Sequence, residues 1–219
     1  MRQLGIIMMG SGDVKKISDV IEIFGDEINV NVSGIVDGYT YEYIREKLWP
    51  EENESFIVSK IQDNKNIMVS TDKAMELINL KIKELESSGV NNILIFCTGH
   101  FERVKTKGLV AIPENIIYGI LRGLGISKVG IIVPEKDQIC DSMEQYSNFN
   151  PVIKAASPYK DIEHLRTTAQ QFKEEDVELI LTDCMGFTEE MGRIVKETSG
   201  KNVIVPRVFV PNMIKSLIR

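Results

Sequence analysis

The 219-residue sequence lacks several features that mark specialised protein classes. It has no run of five basic residues, and a net charge of −6 argues against a basic nucleic-acid groove. The apolar stretch near the start, Leu4–Gly10, is far shorter than the ~20 residues of a membrane-spanning helix. It runs into Ser11–Gly12–Asp13 without a small-residue cleavage site, which argues against a signal peptide. We therefore expect a cytoplasmic protein with neither a membrane nor a nucleic-acid partner.

Cysteine and histidine are also scarce. The three cysteines, Cys97, Cys140 and Cys184, are odd in number and form no CxxC pair, which argues against a disulfide framework or a zinc site. The two histidines are too few for a three-histidine metal centre. Cys140 lies in a polar helical pattern and is interpreted as structural. The sequence thus predicts no metal and no cofactor, and the role of the other two thiols becomes the main question.

Strand-like and helix-like segments alternate along the whole chain. Apolar runs predict strands at Leu4–Met9, Ile28–Val36, Ile93–Cys97, Val129–Val133, Val152–Ala156, Val177–Leu181 and Val203–Val205. Several are continuous Ile/Val/Leu runs, as is typical of parallel strands covered by helices on both faces. Apolar stripes at residues 75–85 and 162–172 predict amphipathic helices between them. This order predicts an α/β fold of β-α-β units, with a hairpin of Phe56–Ile61 and Ile67–Ser70 around Asp63–Asn64.

An internal repeat is the most informative pattern. When Cys97 is placed on Cys184, the preceding apolar strands coincide and both copies read Cys-x-Gly. A second echo joins Leu4–Met8 to Val129–Val133, since both contain Gly-Ile-Ile. We therefore predict two pseudo-symmetric α/β half-domains with parallel sheets flanked by helices, at residues 1–110 and 111–205. Residues 206–219 are predicted to form a C-terminal helix that packs back on the N-terminal half.

The two repeated cysteines are the candidate catalytic residues. Cys97 and Cys184 both follow the carboxyl end of a predicted strand, which is where parallel sheets bind ligands. Two thiols on either side of one carbon can invert it, one as a thiolate base and the other as a thiol acid. We expect polar donors to lower their pKa below the usual value of about 8.5. The alternatives are inert packing of either cysteine and a disulfide between them, which requires Cβ atoms within ~4.5 Å.

Several other residues are candidates for holding a substrate carboxylate. The glycines Gly99 and Gly186 allow close approach to backbone N–H groups, and Thr98 adds a hydroxyl group. His100 is a candidate for pairing with a thiolate or orienting substrate, or it is a surface residue. Arg207 is a candidate bidentate clamp, with a surface role as the alternative.

A nucleotide site has less support in the sequence. Gly10–Ser11–Gly12 resembles the start of a dinucleotide fingerprint, but Lys15 occupies the third glycine position.

The cysteine motifs and the duplicated halves resemble the aspartate/glutamate/hydantoin racemase superfamily, and within it the AroM family. The resemblance rests most on Leu179–Phe187, with its Asp-Cys-Met-Gly-Phe segment, on Val129–Pro134, and on Gln62–Asn64 leading to Val69–Ser70. It implies an Asp/Glu racemase-like fold, a cofactor-independent site between the halves, and a possible homodimer. By position it would make Cys97 and Cys184 the acid/base pair. The residues it places at the substrate are Gly10, Ser11, Thr98, Gly99, Met185 and Gly186.

The chain departs from the superfamily pattern directly after each cysteine. The superfamily's enzymes usually have Asn-Thr after the first and Thr-His after the second, whereas this chain has Thr98–Gly99 and Met185–Gly186. Three functions therefore stay open. The first is a racemase-like or isomerase-like enzyme acting on a small carboxylic acid. The second is a non-catalytic small-acid-binding or regulatory protein, and the third is decarboxylation or lyase chemistry with one thiol as proton donor.

Overall fold

The computed structural model describes residues 2–61, 65–102 and 104–218, and these residues form two compact units. Unit 1 is Met1–Ile112 with Ile214–Arg219, and unit 2 is Pro113–Met213. Asp63 and Asn64, the predicted hairpin turn, and Gln62 lie outside the described residues. Among the described helices, none is long and apolar enough to cross a membrane.

Unit 1 is built on a parallel sheet with a separate hairpin. Its described strands are β1 (Arg2–Met8), β2 (Ile28–Gly34), β3 (Phe56–Lys60), β4 (Asn66–Ser70), β5 (Asn92–Phe96) and β6 (Leu109–Ala111). The sheet order is β2-β1-β5-β6 with every neighbour parallel, while β3 and β4 pair antiparallel. Its helices are α1 (Ser18–Phe24), α2 (Tyr41–Tyr43), which continues as a π-turn over Ile44–Leu48, and α3 (Thr71–Ser87).

Unit 2 is built on a second parallel sheet. Its strands are β7 (Val129–Val133), β8 (Val152–Ala155), β9 (Leu179–Thr182) and β10 (Asn202–Ile204). Its helices are α4 (Pro113–Gly123), α5 (Ile139–Gln145), α6 (Ile162–Gln170) and α7 (Glu189–Ser199). Helix α8 (Pro206–Ile218) begins in unit 2, and from Ile214 onward it belongs to unit 1, where Lys215 donates a hydrogen bond to the carbonyl of Ile23.

The two sheets repeat one topology. When each sheet is read from the edge formed by the second strand of its unit, the order is β2-β1-β5-β6 in unit 1 and β8-β7-β9-β10 in unit 2, which is the same topology. The register also repeats, since Gly5 pairs with Ile93 in unit 1 and Gly130 pairs with Ile180 in unit 2. These are the residues that coincide when the two sequence echoes are superposed. The predicted fold class of two parallel-sheet halves is therefore confirmed.

Each sheet is buried on both faces, which explains its continuous apolar strands. Along β7 of unit 2, Ile131 and Val133 pack with Tyr146 and Phe149, whereas Ile132 faces the opposite cluster. Gly130 leaves room for a ring on that opposite face, because a Cβ there would lie 2.9 Å from Phe172 Cε1. The small residue in the middle of the strand thus lets the α6 layer pack close to the sheet.

The seven predicted strands, the hairpin and the helical stripes around α3 and α6 are all present. The short strand β6 (Leu109–Ala111) was not predicted.

Candidate active site

The two Cys-x-Gly segments repeat the same two hydrogen bonds. In unit 1 the Cys97 N–H donates to the Ile95 carbonyl over 2.9 Å, and the Gly99 N–H donates to Cys97 Sγ over 3.4 Å. In unit 2 the Cys184 N–H donates to the Thr182 carbonyl over 2.8 Å, and the Gly186 N–H donates to Cys184 Sγ over 3.3 Å. Each turn follows the strand next to the first strand of its unit. Both sulfurs are therefore held by a backbone donor at the carboxyl edge of a sheet.

Three side chains surround Cys184 in unit 2. The Tyr159 hydroxyl donates a hydrogen bond to the Cys184 sulfur, and the charges of Asp183 and Arg207 act on it. Arg207, at the start of α8, is buried and its Nη1 donates to the Met185 carbonyl over 2.9 Å. The candidate clamp thus lies beside the second cysteine, with its guanidinium partly used to hold the Cys-x-Gly turn.

The expected lowering of the thiol pKa is wrong for Cys184. Burial raises the pKa of Cys184 to about 11, and the negative charge of Asp183 adds to this effect. The Gly186 N–H, the Tyr159 hydroxyl and Arg207 act in the opposite direction without overcoming burial. The sequence argument counted the polar donors but had no measure of how much water the fold excludes. At neutral pH Cys184 is therefore a protonated thiol.

Buried acidic and phenolic groups lie behind the Cys184 turn. The Tyr146 hydroxyl is 3.5 Å from Asp183 Oδ1, and both side chains are buried. Burial raises the pKa of Tyr146 well above its ordinary value, with the negative charges of Asp183 and Glu114 adding to the shift. Glu114, in the first turn of α4, is buried as well. Unit 2 therefore concentrates charge next to its cysteine.

The Cys97 turn has different neighbours. Thr98 is buried beside it, and Phe101 is the nearest side chain to Gly99 apart from the cysteine itself. His100 is exposed, and its Nε2 lies 3.2 Å from Glu102 Oε1. The structure thus brings Cys97, Thr98, Gly99 and His100 into one loop after β5, with His100 directed to the solvent-facing Glu102.

Gly10 and Ser11 lie in the loop after β1. In the same sheet β1 is the neighbour of β5, the strand that Cys97 follows. A Cβ at Gly10 would lie 2.2 Å from the Lys60 carbonyl oxygen, so close packing on β3 explains this glycine. Ser11 is buried and its N–H donates to the same carbonyl over 3.2 Å. It borders a cavity of about 410 Å³ formed mainly by residues 36–42 after β2.

Unit 2 has a cavity at the matching place. It measures about 760 Å³ and is lined by residues that follow β7 and β8, among them Glu135, Ser157, Lys160 and His164. Both cavities therefore adjoin the carboxyl ends of the first two strands of a unit. Within the described residues, no cluster of three or more His, Cys, Asp or Glu side chains could hold a metal ion.

Tyr159, Tyr146 and Glu114 were not identified from the sequence. Tyr159 and Tyr146 come from connections far from Cys184 in the chain, and no local motif marks them. Glu114 did have a signal, because Ile112–Pro113–Glu114 echoes Val205–Pro206–Arg207 after a short apolar run in each half. That third echo places Glu114 and Arg207 at corresponding positions of α4 and α8.

Solved structures share this fold at low sequence identity. Arylmalonate decarboxylase matches with a TM-score of 0.65 and 14% identity over 99% of this chain and 91% of that chain. The maleate isomerase Iso from Pseudomonas putida S16 matches with a TM-score of 0.64 and 12% identity over 99% and 92%. An aspartate racemase homologue from Pyrococcus horikoshii OT3 matches with a TM-score of 0.58 and 11% identity over 100% and 99%. The fold is therefore of the Asp/Glu racemase-like class.

A family model extends this assignment to the sequence. The AroM protein family model matches residues 4–218, which is nearly the whole chain. The chain belongs to the AroM family, as its Asp-Cys-Met-Gly-Phe segment suggested. Among curated proteins, none matches it.

Proposed function

We propose that this protein moves a proton at the α-carbon of a small carboxylic acid with its cysteine thiols, as a cofactor-independent racemase or isomerase. The observation that carries the proposal is the repeated turn geometry, in which a glycine N–H is donated to each of two sulfurs at matching strand ends. A donor aimed at sulfur stabilises the thiolate more than the thiol, which is what an acid/base cysteine requires.

In the proposed reaction one thiolate removes the α-proton, and the electron pair of the C–H bond passes into an enolate of the carboxylate. The second thiol then gives its proton to the opposite face, so that thiol and thiolate exchange positions. Cys184, protonated at neutral pH, is the proton donor in the first direction, and Cys97 is the base. Arg207 supplies positive charge on the Cys184 side, where the carboxylate gains charge.

Two alternatives have support of their own. The replacement of the superfamily's Asn-Thr and Thr-His by Thr98–Gly99 and Met185–Gly186 favours a protein that binds a small acid without converting it. The raised pKa of Cys184 favours decarboxylation. There, loss of carbon dioxide leaves the electron pair on the α-carbon, and a single thiol supplies the proton.

A deuterium experiment separates these functions. The protein is incubated in D₂O with a panel of single-enantiomer 2-substituted carboxylic acids and malonates, and the recovered acids are examined by mass and chiral chromatography. Racemisation predicts deuterium at the α-carbon together with the opposite enantiomer. In Cys184→Ser inversion should be lost, while Cys97 can still exchange the α-proton on its own face. Decarboxylation predicts a product 44 mass units lighter before the deuterium is counted. Ligand-dependent thermal stabilisation without deuterium in any compound would leave the binding protein.

A further inference from the structure

The hydroxyl of Tyr159 occupies a place from which it can act on Cys184. Tyr159 lies in the connection between β8 and α6, and a hydrogen bond from its hydroxyl is one of the effects that lower the pKa of the Cys184 thiol. Its ring lies directly on the Cys-x-Gly turn, because a Cβ at Gly186 would be 2.5 Å from the Tyr159 hydroxyl oxygen and 2.8 Å from Cζ. The phenol therefore packs on the glycine whose N–H is donated to the Cys184 sulfur.

The corresponding turn of unit 1 has no such close contact. A Cβ at Gly99 would meet Cys97 Sγ and Phe101 Cζ at 3.5 Å each, which is an ordinary van der Waals distance. At Gly186 the three nearest atoms belong to Tyr159 and its neighbour Pro158, and a Cβ would approach them to 2.5–2.9 Å. The tyrosine is therefore part of what keeps this position small.

We propose that Tyr159 is a positioning residue for Cys184: its phenol fixes the sulfur within the turn and stabilises the thiolate that remains after the thiol gives its proton to carbon. The inference rests on the proposed function for the proton transfer itself. Tyr159 keeps its own proton throughout and only donates a hydrogen bond. The Gly186 N–H is the second donor to the same sulfur, so the thiolate would be held from two directions.

The test must separate the effect of Tyr159 on the sulfur from the effects of the other groups that face it. Asp183 disfavours the thiolate and Arg207 favours it, and both are buried. Tyr159 is 68% exposed, so its hydroxyl is removable with little effect on folding. Tyr159→Phe deletes the donor and keeps the ring as a cover.

The experiment measures the rate of iodoacetamide alkylation of Cys184 between pH 7 and 9, below the ordinary range of tyrosine ionisation, by peptide mass spectrometry of the whole chain. Tyr159→Phe should lower the thiolate fraction of Cys184 at each pH, so that alkylation at pH 8.5 becomes about tenfold slower. Exposed Cys140 is the internal reference, and Tyr43→Phe in unit 1 is the matched control; both should be unchanged. An unchanged or faster rate at Cys184 in Tyr159→Phe would overturn the proposal.

Gly186 provides a second, independent test. Gly186→Ala should displace the Tyr159 ring and slow the alkylation of Cys184 as Tyr159→Phe does. The double variant should show no further slowing, because both changes remove the same hydrogen bond. Additive effects of Gly186→Ala and Tyr159→Phe would count against the shared contact.

These measurements use no substrate. If the thiol profile shifts but no acid exchanges deuterium, the proposed function fails while the role of Tyr159 at the sulfur stands. If exchange occurs and Tyr159→Phe alters neither the thiol profile nor the pH dependence of exchange, the role of Tyr159 fails alone.

Discussion

The Cys97 turn of unit 1 and the Cys184 turn of unit 2 share two hydrogen bonds and have different surroundings. The cysteine N–H partner and the glycine-to-sulfur hydrogen bond are repeated, and their distances agree within about 0.1 Å. The residue before each cysteine differs, since Phe96 precedes Cys97 and Asp183 precedes Cys184. The residue after it differs too, as Thr98 or Met185. The two units thus share the hydrogen bonds that hold a sulfur and differ in the chemistry around it.

The different surroundings of the two cysteines bear on which thiol acts as the proton donor and which acts as the base. A half-buried sulfur beside a carboxylate stays protonated at neutral pH, and such a group is a proton donor. A two-thiol reaction needs one partner of this kind at a time. The unequal turns therefore suit a reaction with a preferred starting direction.

The largest expected effect comes from removing either sulfur. Cys97→Ser and Cys184→Ser should each lower inversion of an identified substrate by about 10²–10⁴-fold, because a positioned acid or base contributes that much. Chiral chromatography of the product measures this. Cys140→Ser, an exposed cysteine outside the repeat, is the control. Full inversion by Cys184→Ser would contradict two-thiol transfer.

A second test compares the packing of the two units. A Cβ at Gly130 would press on the Phe172 ring at 2.9 Å, and one at Gly5 would meet the Cδ1 methyl of Leu85 at 2.7 Å. A leucine methyl moves by rotation about its side-chain bonds, whereas an enclosed ring cannot. Gly130→Ala should therefore cost about 1–3 kcal/mol and Gly5→Ala less than about 1 kcal/mol. Urea unfolding midpoints check this, and an equal loss in both variants would show that the two sheets pack alike.

The repeated frame was predictable from sequence for a physical reason. Buried parallel strands need uninterrupted apolar residues, and close helix packing needs a small residue such as Gly5 or Gly130, so both features were visible as echoes. The short strand β6 was missed, although the Ile-Pro and Val-Pro echoes after β6 and β10 mark it. The family resemblance followed from the same segments.

The environment of Cys184 was not predictable in the same way. Tyr159 reaches the sulfur from another loop of unit 2, and the burial that raises the thiol pKa is a property of the folded unit. Sequence reasoning therefore found the cysteine and its glycine but assigned the wrong direction to the pKa of Cys184. Local donors are readable from a sequence, whereas the exclusion of water is not.

The charge of Asp183 offers a way to make the two turns more alike. Asp183→Asn keeps an oxygen acceptor for Tyr146 and removes the negative charge beside Cys184. The pKa of Cys184 should fall by about one unit, and alkylation at pH 8.5 should become about tenfold faster. Peptide mass spectrometry measures the rate, with exposed Asp176→Asn as the control. A slower or unchanged rate would mean that this charge does not reach the sulfur.

The smallest expected effect is a loss of stability at high pH that arises in unit 2 from Tyr146. The folded protein holds this phenolic proton more tightly than the unfolded chain, because burial raises the pKa of Tyr146. Its contribution to stability is therefore complete below about pH 10, the unfolded pKa, and is lost as pH rises toward the higher folded pKa. The loss should approach about 1.4 kcal/mol per pH unit above that point. Tyr146→Phe has no proton to lose.

Urea unfolding at pH 8 and pH 11 tests this, with Tyr43→Phe of unit 1 as the control. The wild-type protein and Tyr43→Phe should lose about 1 kcal/mol more than Tyr146→Phe over this interval. Ionisation of Cys184 adds a loss of stability between the ordinary pKa of a cysteine and about 11. All three proteins share this loss, so it cancels in the comparison. An equal loss in Tyr146→Phe would mean that the phenol ionises as freely in the folded unit as in the unfolded chain. Asp183 and Glu114 would then have to be better screened than their burial implies.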